Sequence, residues 1–388
     1  MNNRQLFQRY IAQTSPEPIG LEIASASGNY IYDADGKEYI DLIGGISVCN
    51  IGHCHPAVVK AIKEQADKYL HVMVYGEVVQ SPQVQYAQML TTHLPSSLDC
   101  IYFTNSGAEA IEGAIKLARR CTGRPEIISC NDSYHGSTTG ALSIMGDEYW
   151  RNAFRPLMPG VQRYNYNSDE LVDAVTENTA CVIIETIQAE AGVIAADKKW
   201  IQRLREKCTA MHTLLIFDDV QGAFGRTGNL WGFNEVIPDI LVLGKALGGG
   251  MPLGAFIASQ KLMLQLTENP VLGHITTFGG HPVSCAAGLA AFRVLLDERL
   301  ADTVAEKEKL FHSLLQHPAI KTVRSKGLLI AVELEDTTHV KTVLQRCIAR
   351  GVFADWFLFA PNCIRIAPPL TIINADIQKA CSIILESL

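Results

Sequence analysis

The chain has 388 residues, 48% hydrophobic and 19% charged, which excludes a fibrous or disordered protein and gives enough length for two or three domains around sizeable cores. Its 33 basic and 40 acidic residues leave a net charge of −7 with no basic block, so a nucleic-acid or anionic-membrane surface is not indicated and small-molecule chemistry is expected. Eleven cysteines stand without a CxxC pair, and polar Asn2, Asn3 and Arg4 follow Met1 where a secretory signal needs an apolar stretch; reduced thiols and a cytoplasmic location are the expectation.

In chain order, a short polar opening precedes Gly28 to Leu42, where apolar and polar residues alternate around Asp35-Gly36, the pattern of a hairpin with a tight turn. From about Gly52 onward, helical patterns at Ala57 to Tyr69, Ser106 to Arg120, Leu171 to Asn178 and Trp200 to Met211 alternate with short apolar runs. Those runs are Cys100 to Thr104, Glu126 to Ser129, Cys181 to Glu185, Leu214 to Phe217, Ile240 to Leu243 and Ala255 to Ala258. Strands apolar on both faces and separated by helices predict an α/β domain with a mostly parallel sheet. Past Pro282 come a long helical stretch through Leu315, a strand near Leu328 to Leu334, a helix over Val340 to Arg350, a strand around Ile364 to Ala367 and a final helix, a smaller α+β unit. The expected division is an arm and hairpin over 1–50 that packs with the small domain, a large domain over 51–283 and a small domain over 284–388.

Ile240 to Gln260 carries one charge, Lys245, in roughly the length of a bilayer span. Gly244, Gly248, Gly249, Gly250, Pro252 and Gly254 break any continuous helix there, so a strand, a glycine-rich turn and a second strand are predicted. Burying a lone ammonium is costly, which leaves Lys245 paired, neutral or covalently used.

Ligands of open α/β sheets sit beyond the carboxyl ends of the strands, and three runs end there in reactive groups. One ends in Glu185 with Gln188 close behind, the next in Asp218-Asp219-Val220-Gln221, the third in Gly244-Lys245. Phe103 to Glu109 adds small residues and free N–H groups at a helix start, where a phosphate fits; standing alone, such a Ser or Asn is an ordinary helix cap.

With these residues in place the chain resembles the class III aminotransferases of fold type I, the group that includes ornithine, acetylornithine and 4-aminobutyrate aminotransferases. The resemblance runs through GHCHP (Gly52 to Pro56), FTNSGAEA (Phe103 to Ala110), YHGST (Tyr134 to Thr138), ETIQAEAG (Glu185 to Gly192), FDDVQGAFGRTG (Phe217 to Gly228), LGKALGGGMPLGA (Leu243 to Ala255), TTFGGHP (Thr276 to Pro282) and IRIAPPL (Ile364 to Leu370). It implies a pyridoxal 5'-phosphate-dependent aminotransferase that moves an amino group from an amino acid or terminal amine to 2-oxoglutarate or a similar keto acid. Lys245 would be the lysine of the internal aldimine and the proton shuttle, and Asp218 would keep the pyridine nitrogen protonated. Ser106, Gly107 and Ala108 would cradle the phosphate, joined by Thr277 of a neighbouring subunit, so that a homodimer shares its active sites. Gln221 would bond the phenolic oxygen, Val220 and Tyr134 would cover the two ring faces, His135 belongs to the same cofactor-binding set, and Glu185 would order the site beneath.

Arg365 resembles the arginine that binds the α-carboxylate of glutamate, and Glu190 its switchable partner. A structural ion pair is the other reading of those two residues. The family usually reads FHGRT where this chain has Ser137, so a second carboxylate-binding arginine is absent. Ile46 and Thr14 fall near where ornithine enzymes offer tyrosines, which makes Ile46 and Ser137 the substrate-facing departures. Asp219 replaces the usual glutamate after Asp218. His53-Cys54-His55 lacks a second ligand pair, and no metal is expected. Neither a GxxxxGK[ST] loop nor a GxSxG elbow is present. An aminomutase or racemase of the same family is the alternative function; a non-catalytic binding protein is disfavoured by the intact lysine.

Overall fold

The structure is a computed structural model that describes residues 2–74 and 76–388. Its largest sheet runs in the order Cys100–Thr104, Gly254–Ala258, Ile240–Leu243, Leu214–Asp218, Thr179–Glu185, Glu126–Cys130 and Val161–Tyr164. Gly254–Ala258 is antiparallel to both neighbours, and the remaining strands run parallel. The exception has a local cause. The link from Ile240–Leu243 to Gly254–Ala258 holds only a single 3-10 turn, Lys245–Gly248, which is too short for a parallel crossover. The α/β class and mostly parallel sheet predicted from the apolar runs are present.

Alternate residues of the central strands bury on opposite faces. Ile183, Ile216 and Val242 join Ala110, Ile111, Ala114 and Ile115 of helix Gly107–Thr122, whereas Ile184, Phe217 and Leu243 join Trp200, Leu204 and Phe292. The helix lies close because of Gly113: a Cβ there would stand 2.3 Å from Phe256 Cε1.

Some boundaries differ from expectation. Strand Val161–Tyr164 was not predicted; Gln162 and Arg163 break its apolar run because it is the half-exposed edge of the sheet. The helix expected over Leu171 to Asn178 is Asp169–Asp173, started by the Ser168 hydroxyl, which accepts from Leu171 N at 3.3 Å. The long stretch after Pro282 divides into Pro282–Asp297 and Val304–Leu314, because Arg299 takes a left-handed φ of 51° between them.

A second sheet, antiparallel throughout, has the order Thr322–Ser325, Ile330–Glu333, Cys363–Ile366, Asp355–Trp356. The predicted hairpin is present as Tyr30–Asp33 and Glu38–Asp41, extended by Ile23–Ser27 on one side. Its turn uses Gly36 at φ 81°, while Asp33 Oδ1 accepts from Asp35 N at 3.0 Å and Lys37 N at 2.8 Å. Glu38–Asp41 then pairs in parallel with Val352–Phe353. Arg226, fully buried, ties three distant segments: Nη1 donates to Leu328 O at 2.8 Å and Pro368 O at 2.6 Å, and Nη2 to Asn50 Oδ1 at 2.6 Å. Among the described residues no helix is long and apolar enough to cross a membrane.

Candidate active site

At the carboxyl ends of three adjacent strands the sheet delivers Glu185, Asp218 and, one residue beyond Gly244, Lys245 to one cavity of about 310 Å³. Asp218 stands in register with Glu185 on one side and Val242 on the other, so the parallel pairing itself fixes the spacing. Ser106, Gly107 and Ala108 line the cavity from a helix start. Tyr134, His135 and Ser137 enter from the loop after Glu126–Cys130, and Val220 and Gln221 from the turn after Asp218.

Lys245 has a left-handed φ of 48°, which is strained for a residue with a side chain. The turn holds it there: Leu247 N donates to Gly244 O at 2.9 Å, and Gly249 follows at φ 60°. Burial lowers the amine to about pKa 8, with Glu190 pulling it back up and Arg365 adding to the fall. At neutral pH such an amine keeps a usable neutral fraction, which an exposed lysine does not.

Around Asp218 the bonds all point one way. His135 Nδ1 lies 2.7 Å from Asp218 Oδ2, and Asp218 Oδ1 accepts from Val220 N at 3.1 Å. The motif reading named His135 without giving it a partner; the structure supplies Asp218. Glu185 accepts from Tyr134 N at 2.9 Å and Ala189 N at 3.3 Å, yet burial, followed by the charge of Asp218, pushes its carboxyl well above the usual range. Asp219 turns away from the cavity to accept from Thr186 Oγ1 and Gly232 N, each at 2.7 Å. A Cβ on Gly222 or Gly232 would come within 2.5 Å or 2.2 Å of Asp219 Oδ1, so the nest suits an aspartate and is tight for a longer glutamate.

Behind Gln221 lies the second charged centre. Gln221 Nε2 donates to Glu190 Oε1 at 3.1 Å, and Glu190 is the two-point partner of Arg365, at 2.9 Å from Nη1 and 2.7 Å from Nη2. Leu358 N also donates to Glu190 Oε2, at 3.0 Å. Burial works against the Glu190 charge, but Arg365 and then Lys245 hold its carboxyl below the usual range. Arg365 has a second carboxylate that sequence reasoning did not find, Asp355, with Oδ1 at 3.2 Å from Nε. Asp355 sits on a strand of only two residues, too short to show a period.

Two predicted residues stand apart. Ile46 is 38% exposed at φ 63°, and Thr277 is exposed; neither lines the cavity of its own chain. The histidines of the GHCHP segment diverge: His53 Nε2 meets Asp41 Oδ2 at 2.7 Å, and His55 Nδ1 caps a helix by accepting from Ala57 N.

The cavity suits a flat phosphorylated pyridine aldehyde. Its volume falls at the small end of ligand sites, which span roughly 300–1,000 Å³. A helix start faces it, and Gly107 leaves room there, since a Cβ would come within 3.2 Å of Val220 Cγ2. Among the described residues His135 Nε2 and Gln221 Oε1, both buried at the site, have no hydrogen-bond partners, as polar atoms facing a ligand site would.

A lysine just past one strand end, a carboxylate at the end of the next and a phosphate-ready helix start define a fold-type I pyridoxal-phosphate enzyme. The family model described as Aminotransferase class-III matches residues 10–388, and the chain belongs to that family. It is 37% identical over 396 residues to an acetylornithine aminotransferase of Methanopyrus kandleri, covering 100% of this chain and 99% of the relative. It is 37% identical over 385 residues to ornithine aminotransferase 1 of Staphylococcus aureus, covering 95% of each. The crystal structure of the ornithine aminotransferase from Toxoplasma gondii superposes with a TM-score of 0.91 at 29% identity, covering 100% of this chain and 95% of that one. The protein is thus a pyridoxal-phosphate-dependent transaminase, and nothing in these comparisons favours the aminomutase or racemase alternative.

Proposed function

We propose that the enzyme takes an amino group from a donor bearing a terminal amine, of the ornithine or acetylornithine type, and delivers it to 2-oxoglutarate or a close analogue. The observation that carries this reading is the company Lys245 keeps: one cavity joins it to Asp218 and Glu185, with the closed Glu190–Arg365 pair directly behind. Pyridoxal phosphate, when bound, supplies a ring that takes up the electrons of a broken C–H bond. Lys245 Nζ would take the proton from the donor carbon and return it at the cofactor carbon on the other side of the shared nitrogen. Asp218, aimed by His135, would hold a proton on the pyridine nitrogen. Ser106, Gly107 and Ala108 would hold the phosphate, Tyr134 and Val220 would cover the two ring faces, Gln221 would bond the phenolic oxygen, and Glu185 would brace the floor through its bonds from Tyr134 N and Ala189 N.

Substrate exchange uses the second centre. With a donor that carries no carboxylate near Arg365, Glu190 stays on the guanidinium; a dicarboxylate takes the place of Glu190 on the same two nitrogens. Ser137 stands exposed at the mouth, 3.3 Å from Tyr134 Oη, so the far end of the donor meets a hydroxyl where the family pattern has an arginine.

The same reading makes the enzyme a cytoplasmic homodimer. Val72, Met73, Val79 and Phe278 expose apolar surface, and Thr277 lies beside Phe278; in this reading Thr277 reaches the phosphate of the partner, and Ile46 faces the shared site. The chain divides at 51 and 284, with the arm docked on the small domain through Glu38–Asp41 and Val352–Phe353.

The test is a panel of ornithine, N-acetylornithine, 4-aminobutyrate and simple diamines, each with 2-oxoglutarate. Glutamate forming only when a terminal amine and 2-oxoglutarate are both present supports the reading. Turnover confined to α-amine donors overturns the donor class. Loss of activity on dilution, in step with dissociation measured by sedimentation, supports the shared site; a fully active monomer removes it.

A further inference from the structure

The strand pairing that presents Arg365 brings it a second carboxylate for which the transfer reaction has no other use. In the antiparallel register of Asp355–Trp356 with Cys363–Ile366, Asp355 stands directly across from Arg365, and on the other side the partner is Ala331. Opposed residues share one face of a sheet, so the register puts the Asp355 carboxylate beside the guanidinium. Glu190 and Asp355 take different edges of it. Glu190 occupies Nη1 and Nη2, the pair of nitrogens that a substrate carboxylate would take, while Asp355 Oδ1 lies 3.2 Å from Nε. Nε and Asp355 Oδ1 are buried and have no hydrogen-bond partner among the described residues. The guanidinium rests on the Phe357 ring at 4.7 Å, and Nη2 also donates to Trp356 O at 2.8 Å.

We propose that Asp355 is a positioning residue that sets substrate specificity, by keeping the Nη edge of Arg365 aimed at the cavity when Glu190 gives way to a substrate carboxylate. The inference rests on the reading of Arg365 as the carboxylate-binding residue. Two effects of Asp355 oppose each other. Its charge weakens the pull of the guanidinium on any anion at the Nη edge. Glu190 and a substrate carboxylate are like charges in one place, so that weakening cancels when one replaces the other. The ion contact of Asp355 Oδ1 with Nε, at 3.2 Å, does not cancel. While Glu190 is in place the fork is fixed on two edges; once Glu190 withdraws, Asp355, Trp356 O and Phe357 alone fix its plane. A tilted fork loses two-point contact. Asp355 thus acts in the half-reaction with the dicarboxylate and hardly in the one that leaves the Glu190–Arg365 pair closed.

Holoenzyme carrying Asp355→Ala or Asp355→Asn tests this in separate half-reactions, followed by cofactor absorbance, with glutamate and with ornithine. For Asp355→Ala the KM for glutamate is expected to rise about tenfold, the worth of one buried charged contact, with kcat and the ornithine half-reaction within about twofold of wild type. Asp355→Asn keeps an oxygen at Nε and falls between; it also keeps the experiment informative if the alanine variant does not fold. An unchanged or lowered KM for glutamate overturns the proposal, as do equal losses in both half-reactions, which would make Asp355 merely structural. Arg365→Lys separates the two readings. If it leaves the KM for glutamate at the wild-type value, the role of Arg365 itself fails. If it raises that KM while both Asp355 variants do not, only the role of Asp355 fails.

Discussion

His135 Nδ1 meets Asp218 Oδ2 at 2.7 Å, with both side chains buried, and its other ring nitrogen has no partner among the described residues. The ring can donate from Nδ1 only while that nitrogen carries the proton, so the pair fixes both the tautomer of His135 and the direction of the Asp218 carboxylate. His135→Ala frees the carboxylate to rotate. The expected result is cofactor affinity weakened roughly 10- to 100-fold, the range of a charged hydrogen bond, with the fold retained. Equilibrium dialysis of pyridoxal phosphate beside far-ultraviolet circular dichroism measures both; undiminished affinity would contradict the role given to the pair.

The amine of Lys245 titrates near pH 8 because burial disfavours its charge. Only the neutral amine attacks an aldehyde, so covalent capture of pyridoxal phosphate by the apoprotein should speed up about tenfold per pH unit below the midpoint and level off above it. Stopped-flow absorbance from pH 6 to 10 gives the profile. A midpoint near the ordinary lysine value of 10.5 would show that the turn does not shelter the amine.

Burial raises the Asp219 carboxyl to about pKa 7 from an ordinary 3.8, despite its bonds to Thr186 and Gly232. The folded value lies above the unfolded one, so the native state binds the extra proton in between. Its contribution to stability is complete below pH 3.8 and is lost as pH rises through 7. Asp219→Asn cannot titrate and should flatten the fall in melting temperature between pH 5 and 8. An identical slope in wild type and variant would mean that Asp219 is already ionised at low pH.

Ser137→Arg puts a fork at the cavity mouth, where the Ser137 hydroxyl lies 3.3 Å from Tyr134 Oη. The KM of donors with a carboxylate remote from the reacting amine should fall about tenfold, while carboxylate-free diamines lose ground through charge repulsion. Steady-state kinetics on matched donors would show the crossover, and parallel shifts in both donor classes would refute it.

Much of the site could be read from the chain because its parts sit at strand ends. Glu185, Asp218 and Lys245 each follow an apolar run, and parallel pairing of neighbouring strands left their side chains little choice but to converge. What stayed hidden depends on contacts distant in sequence. Asp355 is a neighbour of Arg365 only through a two-residue strand, and the partner of His135 lies 83 residues away. The edge strand Val161–Tyr164 was invisible for another reason: half exposed, it needs no apolar run. The antiparallel turn of Gly254–Ala258 was implicit in the short glycine-rich link before it, and only the direction of the strand was missing from the pattern.

Arg226 has a mechanical consequence. Its guanidinium rivets the Leu328 carbonyl, the Pro368 carbonyl and the Asn50 side chain to one point, with burial lowering its own pKa to about 9 and the charge of Asp41 pulling it back up. Three stretches of chain far apart in sequence thus share one buried joint. Segment 147–155 lies outside that joint, and there Trp150 packs edge-on against Phe359, whose N donates to Glu190 O at 3.0 Å.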